Sequence, residues 1–521
     1  MKIIIKLLSF LIILNFISCY DDKGNYAYSE INEISIDTVG KQTEFEVYQF
    51  DVLDIPVDIR FALEEVPDED MEYKWTIYSN AATGNVAAEV IGTERNLHSV
   101  IRQPSSADSY SVVLQARNKR NGIATQMSYT VYVTSRILSG WVVLHTDGVQ
   151  SDVDYIATPR AVPAITASRH IRNAYFTANN QKIPGTPAFV GAVRVNHQTV
   201  NSVYIGTREE LYKVSGKTFE LEYLSESMFP VKPAVYDFQR FLSLSRSSNT
   251  QFVINNGQVH NIAGQTAFEI TFSQALEANE ALNAVDLAPF IYIPANFAST
   301  TKFEAVFYDR LGQRFVIRPQ NNMPVAKLAP FTSQASSVFD VNHVGMDILW
   351  FERGYQDYGY AVFEDNLGGR WFYIADFNKA MDATMAVKKC DMGGCPEITD
   401  ARFYSTGSRG PVFLYATERN IYTYDYNGSN QAVLINEPFG ENEVITAMQV
   451  YKPYATTNDL ANADGTLLYV ATWDGQEGRL YEFSLNETNG YLREKKPLEV
   501  FGGMGRIVDF CFKVQGVGTG S

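Results

Sequence analysis

The residues that most often carry chemistry are spread thinly here. The six histidines, His98, His145, His170, His197, His260 and His343, have no ligand-like spacing. The chain contains no His-Glu-x-x-His zinc motif, no Gly-x-x-x-x-Gly-Lys phosphate loop and no Gly-x-Ser-x-Gly nucleophile turn. Asp147, Asp152 and Asp154 could offer oxygen ligands to calcium, but they lack the calcium-loop spacing and its terminal Glu. Cys390 and Cys395 flank Asp-Met-Gly-Gly, and five positions apart across a double glycine they can reach disulfide distance in a hairpin-like loop. Zinc is the alternative there, without a third or fourth Cys or His nearby. Cys511, in an apolar run, reads as a small buried hydrophobe. No metal or cofactor is expected.

Aromatic residues are plentiful: 31 Tyr and 32 Phe. They concentrate at Trp350, Phe351, Tyr355, Tyr358, Tyr360, Phe363, Trp371, Phe372 and Tyr373, interrupted by Gly354, Gly359, Gly368 and Gly369. Half of this set alternates as a strand core would. Tyr355 and Tyr358, in the Gly-rich turn, are the candidates for an exposed face that stacks on a sugar ring. Trp473, beside Asp474-Gly475, sits at a turn, where loops carry function, and is the third candidate ligand contact.

The elements that must position these residues read as strands. From Ile31 to Val133 come short alternating runs, among them Val57 to Phe61, Tyr73 to Ile77, Val112 to Ala116 and Met127 to Val133, separated by Gly, Asp, Asn and Pro. They predict an immunoglobulin-like sandwich over residues 31–136, with Trp75 as its core tryptophan. From 138 to 521 a hairpin recurs. Val203 to Thr207 precedes Leu211 to Val214, Phe413 to Thr417 precedes Ile421 to Tyr424, and Leu468 to Thr472 precedes Leu480 to Phe483. Weaker copies fill the gaps, and units of ~40 to 50 residues predict a β-propeller of seven or eight blades. The run Ile507 to Phe512 has the same form as strands that elsewhere precede a hairpin, but no hairpin follows it. Gly140 to Thr146 resembles its missing partner, so the last segment is expected to close the first blade. The fold class is therefore all-β.

The start of the chain fixes where it works. Ahead of Ser18-Cys19 lie two lysines, Lys2 and Lys6, and an apolar run from Ile3 to Ile17 that is too short to span a bilayer. This resembles a bacterial lipoprotein signal, which implies cleavage after residue 18, acylation of Cys19 and a polar tether over 19–30. Asp21-Asp22 look like the surface-export signal of glycan-foraging Gram-negative bacteria, which implies the outer membrane, facing the exterior. Such a location is oxidising and favours the Cys390–Cys395 pair. Cys19-Tyr-Asp-Asp-Lys-Gly-Asn-Tyr26, Tyr73-Lys-Trp75, Ile91-Gly-Thr-Glu-Arg-Asn-Leu97 and Tyr110-Ser-Val-Val-Leu114 resemble the PKD-like lipoproteins of the same bacteria.

Net charge is −16, and −18 once Lys2 and Lys6 leave with the signal, which argues against nucleic acid as a partner. The PKD-like resemblance implies an accessory, non-catalytic role beside a TonB-dependent channel and its capture lipoprotein, with a glycan or a peptide as ligand. Two rivals remain: a polysaccharide-degrading enzyme with paired carboxylates in the propeller channel, and a structural adhesin or scaffold.

Overall fold

The computed structural model describes residues 30–514 apart from 82–87, 105–107, 135–136, 138, 194–201, 244–250, 263–270, 295–302, 321–326, 333–335, 380–382 and 455–457. The signal segment and Cys19 lie outside the described residues. The chain divides into two compact units, one ending at Tyr132 and one running from Val133 that also takes in Tyr48–Asp51 and Ile101–Ser106. Both are built of strands.

In the first unit a five-stranded antiparallel sheet has the order Glu44–Tyr48, Ala124–Thr134, Tyr110–Asn118, Met71–Ser79, Glu89–Gly92. Two short pairs, Ile34–Ile36 with Ile59–Phe61 and Val52–Ile55 with Leu97–Val100, complete the sandwich. Strand Met71–Ser79 shows why: Met71, Tyr73, Trp75 and Ile77 are buried while Glu72 and Lys74 are exposed, the two-residue period of a half-buried strand. Trp75 is fully buried, lies opposite Leu114, packs 5.7 Å from the Tyr129 ring and donates its indole N–H to Glu94 O at 2.8 Å. A Cβ on Gly92 would stand 3.0 Å from Leu97 Cδ1 and 3.4 Å from Trp75 Cδ1, so only glycine sits there without displacing the tryptophan's neighbours.

In the second unit seven antiparallel sheets follow one another among the described residues. Four have the full complement of strands in sequence order: the second (Pro187–Ala192, Ser202–Thr207, Leu211–Ser215, Leu221–Leu224), fifth (Asp347–Arg353, Gly359–Glu364, Arg370–Ala375, Ala386–Asp391), sixth (Phe403–Thr406, Phe413–Ala416, Ile421–Tyr424, Ala432–Leu434) and seventh (Val444–Val450, Leu467–Trp473, Gly478–Ser484, Glu499–Met504). The third has three strands, Phe238–Ser243, Gln251–Asn255 and Gln258–Ile262. The fourth pairs only Phe303–Asp309 with Arg314–Pro319, but isolated bridges from Tyr292 to Val306 and from Ala329 to Ile317 keep the same pattern in reduced form. The first sheet is completed from the far end of the chain: Gly140–Thr146 pairs on one side with Gln150–Ala157 and on the other with Arg506–Lys513, in the register Trp141 to Phe512 and Val143 to Phe510. The expected closure is thus observed, and this is a β-propeller architecture.

Most of the aromatic load goes to the faces between sheets. Tyr175 meets Tyr212 at 6.0 Å between the first and second sheets, Tyr204 stacks on Phe241 at 4.3 Å, and Phe252 meets Phe307 at 5.7 Å. Phe315 meets Phe351 at 5.2 Å, Phe372 meets Phe413 at 4.3 Å, and Tyr469 packs 4.5 Å from Trp141 across the closure. The sixth and seventh sheets are joined instead by aliphatic packing of Leu414 with Val450, Leu468 and Val470. Each aromatic pair adds ~0.5 to 1.5 kcal/mol beyond the area it buries.

Cys390 and Cys395 correct an expectation. They are free thiols, not a disulfide. Cys390 sits opposite Phe372 on the outer strand of the fifth sheet, and Cys395 ends the turn that follows, its N–H donating to Met392 O at 2.8 Å. Both pack in one cluster with Tyr415, Tyr424 and Tyr426, where burial pushes both thiols up, Cys395 to about 11. Apolar aromatic surroundings disfavour the thiolate and suit a thiol that packs as a small hydrophobe.

Candidate functional site

One stretch from each of the seven sheets lines a central cavity of about 280 Å³: residues 190–192, 240–243, 289–291 with 293, 350–353, 404–405, 448–450 with 452 and 454, and 509–512 contribute. It is the channel around which the sheets are arranged. These strands are mostly apolar because both faces of each pack against neighbouring sheets, so a charge within one is conspicuous. Five such charges stand here: Arg240, Glu352, Arg353, Lys452 and Asp509.

Three of the cations differ in how fully they are engaged. Arg353, 8% exposed, lays its guanidinium over the Tyr454 ring at 4.1 Å, reaches Ile293 O at 3.3 Å through Nη1, and lies in ion-pair range of Asp357 at 3.4 Å. Lys452 is paired with Glu352 and donates to Arg353 O at 3.3 Å and Thr406 Oγ1 at 3.2 Å. The Tyr454 hydroxyl donates to the same Arg353 carbonyl at 3.1 Å. Ile293, Arg353, Thr406 and Lys452 therefore form one layer at the C-terminal ends of four successive inner segments. Arg240 is different: among the described residues its one ion pair is to Asp509, Nη1 to Oδ2 at 3.4 Å.

The two channel carboxylates are both occupied. Glu352 takes Lys452 and the Thr406 N–H at 3.2 Å. Asp509 takes Arg240 and the Val190 N–H at 3.1 Å; burial holds its carboxyl above the usual range while Arg240 pulls it back. Such an arrangement can exchange ion-pair partners and hydrogen bonds with a small polar ligand.

The sequence candidates fall elsewhere and apart. Tyr355 and Tyr358 follow the inner strand Asp347–Arg353, at its C-terminal end, and are half-buried against the cluster containing Tyr360 and Tyr426; Tyr355 O accepts the Tyr360 hydroxyl at 3.2 Å. Trp473 ends the second strand of the seventh sheet, opposite Val444, the first residue of the inner strand. It therefore lies at the opposite end of the ring from the two tyrosines, and the three residues do not make one surface. Asp147, Asp152 and Asp154 also part company. Asp147 pairs with Lys182 at 2.8 Å; Asp152 accepts the N–H groups of Val153, Tyr175 and Phe176; Asp154 accepts His145 Nε2 at 3.0 Å, His170 Nε2 at 2.6 Å and the Asn173 N–H at 2.7 Å. Among the described residues no group of three His, Cys, Asp or Glu is placed to hold a metal ion.

Sequence reasoning missed the channel charges. The signal was a lone charge inside an apolar strand, as Arg240 in Phe238-Gln-Arg-Phe-Leu-Ser243 and Asp509 in Ile507-Val-Asp-Phe-Cys-Phe512.

The profile of the PKD-like family matches residues 19–187, beginning at Cys19. Among proteins with curated descriptions, none matches the chain in sequence. Among solved structures, a quinonprotein alcohol dehydrogenase-like protein from Bacteroides thetaiotaomicron is similar over 93% of this chain and 100% of its own, with TM-score 0.52 and 12% identity. The dihydro-heme d1 dehydrogenase NirN is similar over 73% of this chain and 76% of its own (TM-score 0.40, 14% identity), and the Swd1 β-propeller domain of Myceliophteria thermophila over 60% and 88% (TM-score 0.33, 10% identity). At 12% identity the likeness to the first of these is one of fold.

Proposed function

We propose that this chain is a lipoprotein of the outer membrane, anchored through Cys19 and facing the exterior, that binds an extracellular glycan without transforming it. It serves as an accessory to an uptake system of TonB-dependent channel and capture lipoprotein. The observation that carries the non-catalytic reading is the state of the channel carboxylates. A hydrolase needs one acid free to give a proton and one base or nucleophile facing it across the scissile bond. Of the two channel carboxylates, Glu352 is instead held closely by Lys452 and the Thr406 N–H, which leaves Asp509, with the Val190 N–H and a longer contact to Arg240, without the second free carboxylate that such a pair requires.

Two experiments test it. Soluble chain lacking residues 1–19 is run in affinity gels containing host and plant polysaccharides, and the same mixtures are assayed for new reducing ends. Retardation without new ends is expected; new reducing ends overturn the reading. Cells labelled with an alkynyl palmitate analogue should carry the label on the wild-type chain and lose it, together with membrane retention, in Cys19→Ser. Equal labelling of both would remove the anchor from the proposal.

A further inference from the structure

We propose that the central channel is a carboxylate site: Arg240 takes the carboxylate of a single-ring acid, and Asp509 is the internal carboxylate that occupies Arg240 until the ligand displaces it. The inference deepens the capture reading and rests on it for the choice of a sugar acid.

Three observations support it. A guanidinium carries five N–H donors in a fork matched to a carboxylate, and the pair worth most is bidentate, at ~2.7 to 2.9 Å. Arg240 spends one donor on one oxygen of Asp509 at 3.4 Å, with its side chain 40% exposed. The other two channel cations are less accessible: Arg353 is 8% exposed and lies over the Tyr454 ring with Nη1 on Ile293 O, and Lys452 is 5% exposed and held by Glu352, Arg353 O and Thr406.

Asp509, for its part, gives up little when displaced. Its Oδ2, the oxygen that meets Arg240, keeps the Val190 N–H at 3.1 Å and has a lone pair left to accept from a ligand hydroxyl, so neither partner of the old pair is stranded. The cavity, about 280 Å³, falls just below the ~300 to 1,000 Å³ usual for small-molecule sites, which suits one ring and excludes a chain of them. Phe290 and Trp350 line it and give the ring an apolar wall.

The test is calorimetric titration of the mature chain with galacturonate, galactose and glycine, which separate acid from ring and sugar acid from amino acid. Galacturonate is expected to bind at least tenfold more tightly than galactose. Arg240→Met should abolish that preference and Arg240→Lys should retain part of it, while Asp509→Asn, still able to accept the Val190 N–H, should tighten galacturonate several-fold. Equal affinity for galactose and galacturonate, no effect of Arg240→Met, or weaker binding in Asp509→Asn each overturns the carboxylate site. Glycine bound as tightly as galacturonate keeps the carboxylate site and removes the glycan from the function proposed above. Silence of all three probes on folded protein overturns the site while leaving polysaccharide retardation elsewhere on the chain intact.

Discussion

Asp154 and Asp509 belong to the same sheet, the one that closes the ring, yet they are held in opposite ways. Asp154 is 1% exposed and receives two imidazole N–H groups and a backbone N–H. One of those rings, His145, uses its Nδ1 to accept the Gly505 N–H at 3.2 Å, which ties the start of the closing strand to the same network. Asp509 is partly exposed to the channel and receives backbone N–H groups, the Val190 N–H at 3.1 Å among them, and one long contact from Arg240. A buried acid with its acceptor sites filled behaves as part of the scaffold; one with a long, single-sided partner can be exchanged. The lesson is that carboxylates are sorted by their partners, since both are short acids in β-strands.

The contrast can be broken first at Asp154. Asp154→Ala leaves the buried His145, the half-buried His170 and a backbone N–H without their acceptor, and should cost ~3 to 5 kcal/mol in urea unfolding. A loss under 1 kcal/mol would mean that the network contributes little to the fold. Asp152 sharpens the comparison from within the same strand. Burial raises its carboxyl to about 6 even though three backbone N–H groups pull it down. Its folded pKa exceeds the unfolded one, so its contribution is fully present below about pH 4 and is lost as pH rises through 6. Asp152→Asn should therefore stabilise the protein at pH 8 by ~2 to 3 kcal/mol and have no such effect at pH 4, as read from melts at the two pH values.

Asp154 has the reverse sign. Burial pushes it up, but the hydrogen bonds from His145 and His170 outweigh that and hold it at about 2. Its contribution of ~2 kcal/mol is present above pH 4 and fades as pH falls toward 2, so the wild type should lose stability over that window and Asp154→Asn should lose less. The smallest effect belongs to Asp509→Asn, within ~1 kcal/mol of wild type, because its partner Arg240 stays solvated. A cost as large as that of Asp154→Ala would abolish the distinction between scaffold and exchangeable acid.

Legibility in the sequence followed periodicity. Gly140–Thr146 and Arg506–Lys513 could be matched across more than 350 residues because each shows a strand's apolar run with one partner missing, and they pair in the structure. The three strong hairpins were visible for the same reason. Trp75 was placed correctly because its neighbours at two-residue spacing are also apolar. Contacts set by the ring as a whole could not be read. Arg240 and Asp509 lie 269 positions apart and meet only because the third and first sheets face one channel. The aromatic cluster from Trp350 to Tyr373 suggested a binding face, but Phe351, Phe363, Phe372 and Tyr373 are buried between sheets. Cys390 and Cys395 had the spacing for a bridge; the tyrosines around them come from the next sheet and its turn, twenty or more residues on.

The closing strand has a temporal meaning as well. The sheet that begins first along the chain is the last that can be finished, since Gly140–Thr146 waits for Arg506–Lys513. Contacts of such sequence separation must close a long loop before they return any stabilisation, which slows assembly. Until then Trp141 and its neighbours present an unpaired strand edge and uncovered rings, the surface on which one chain could pair with another. During folding, the ring is safest when its two ends meet before a second copy arrives.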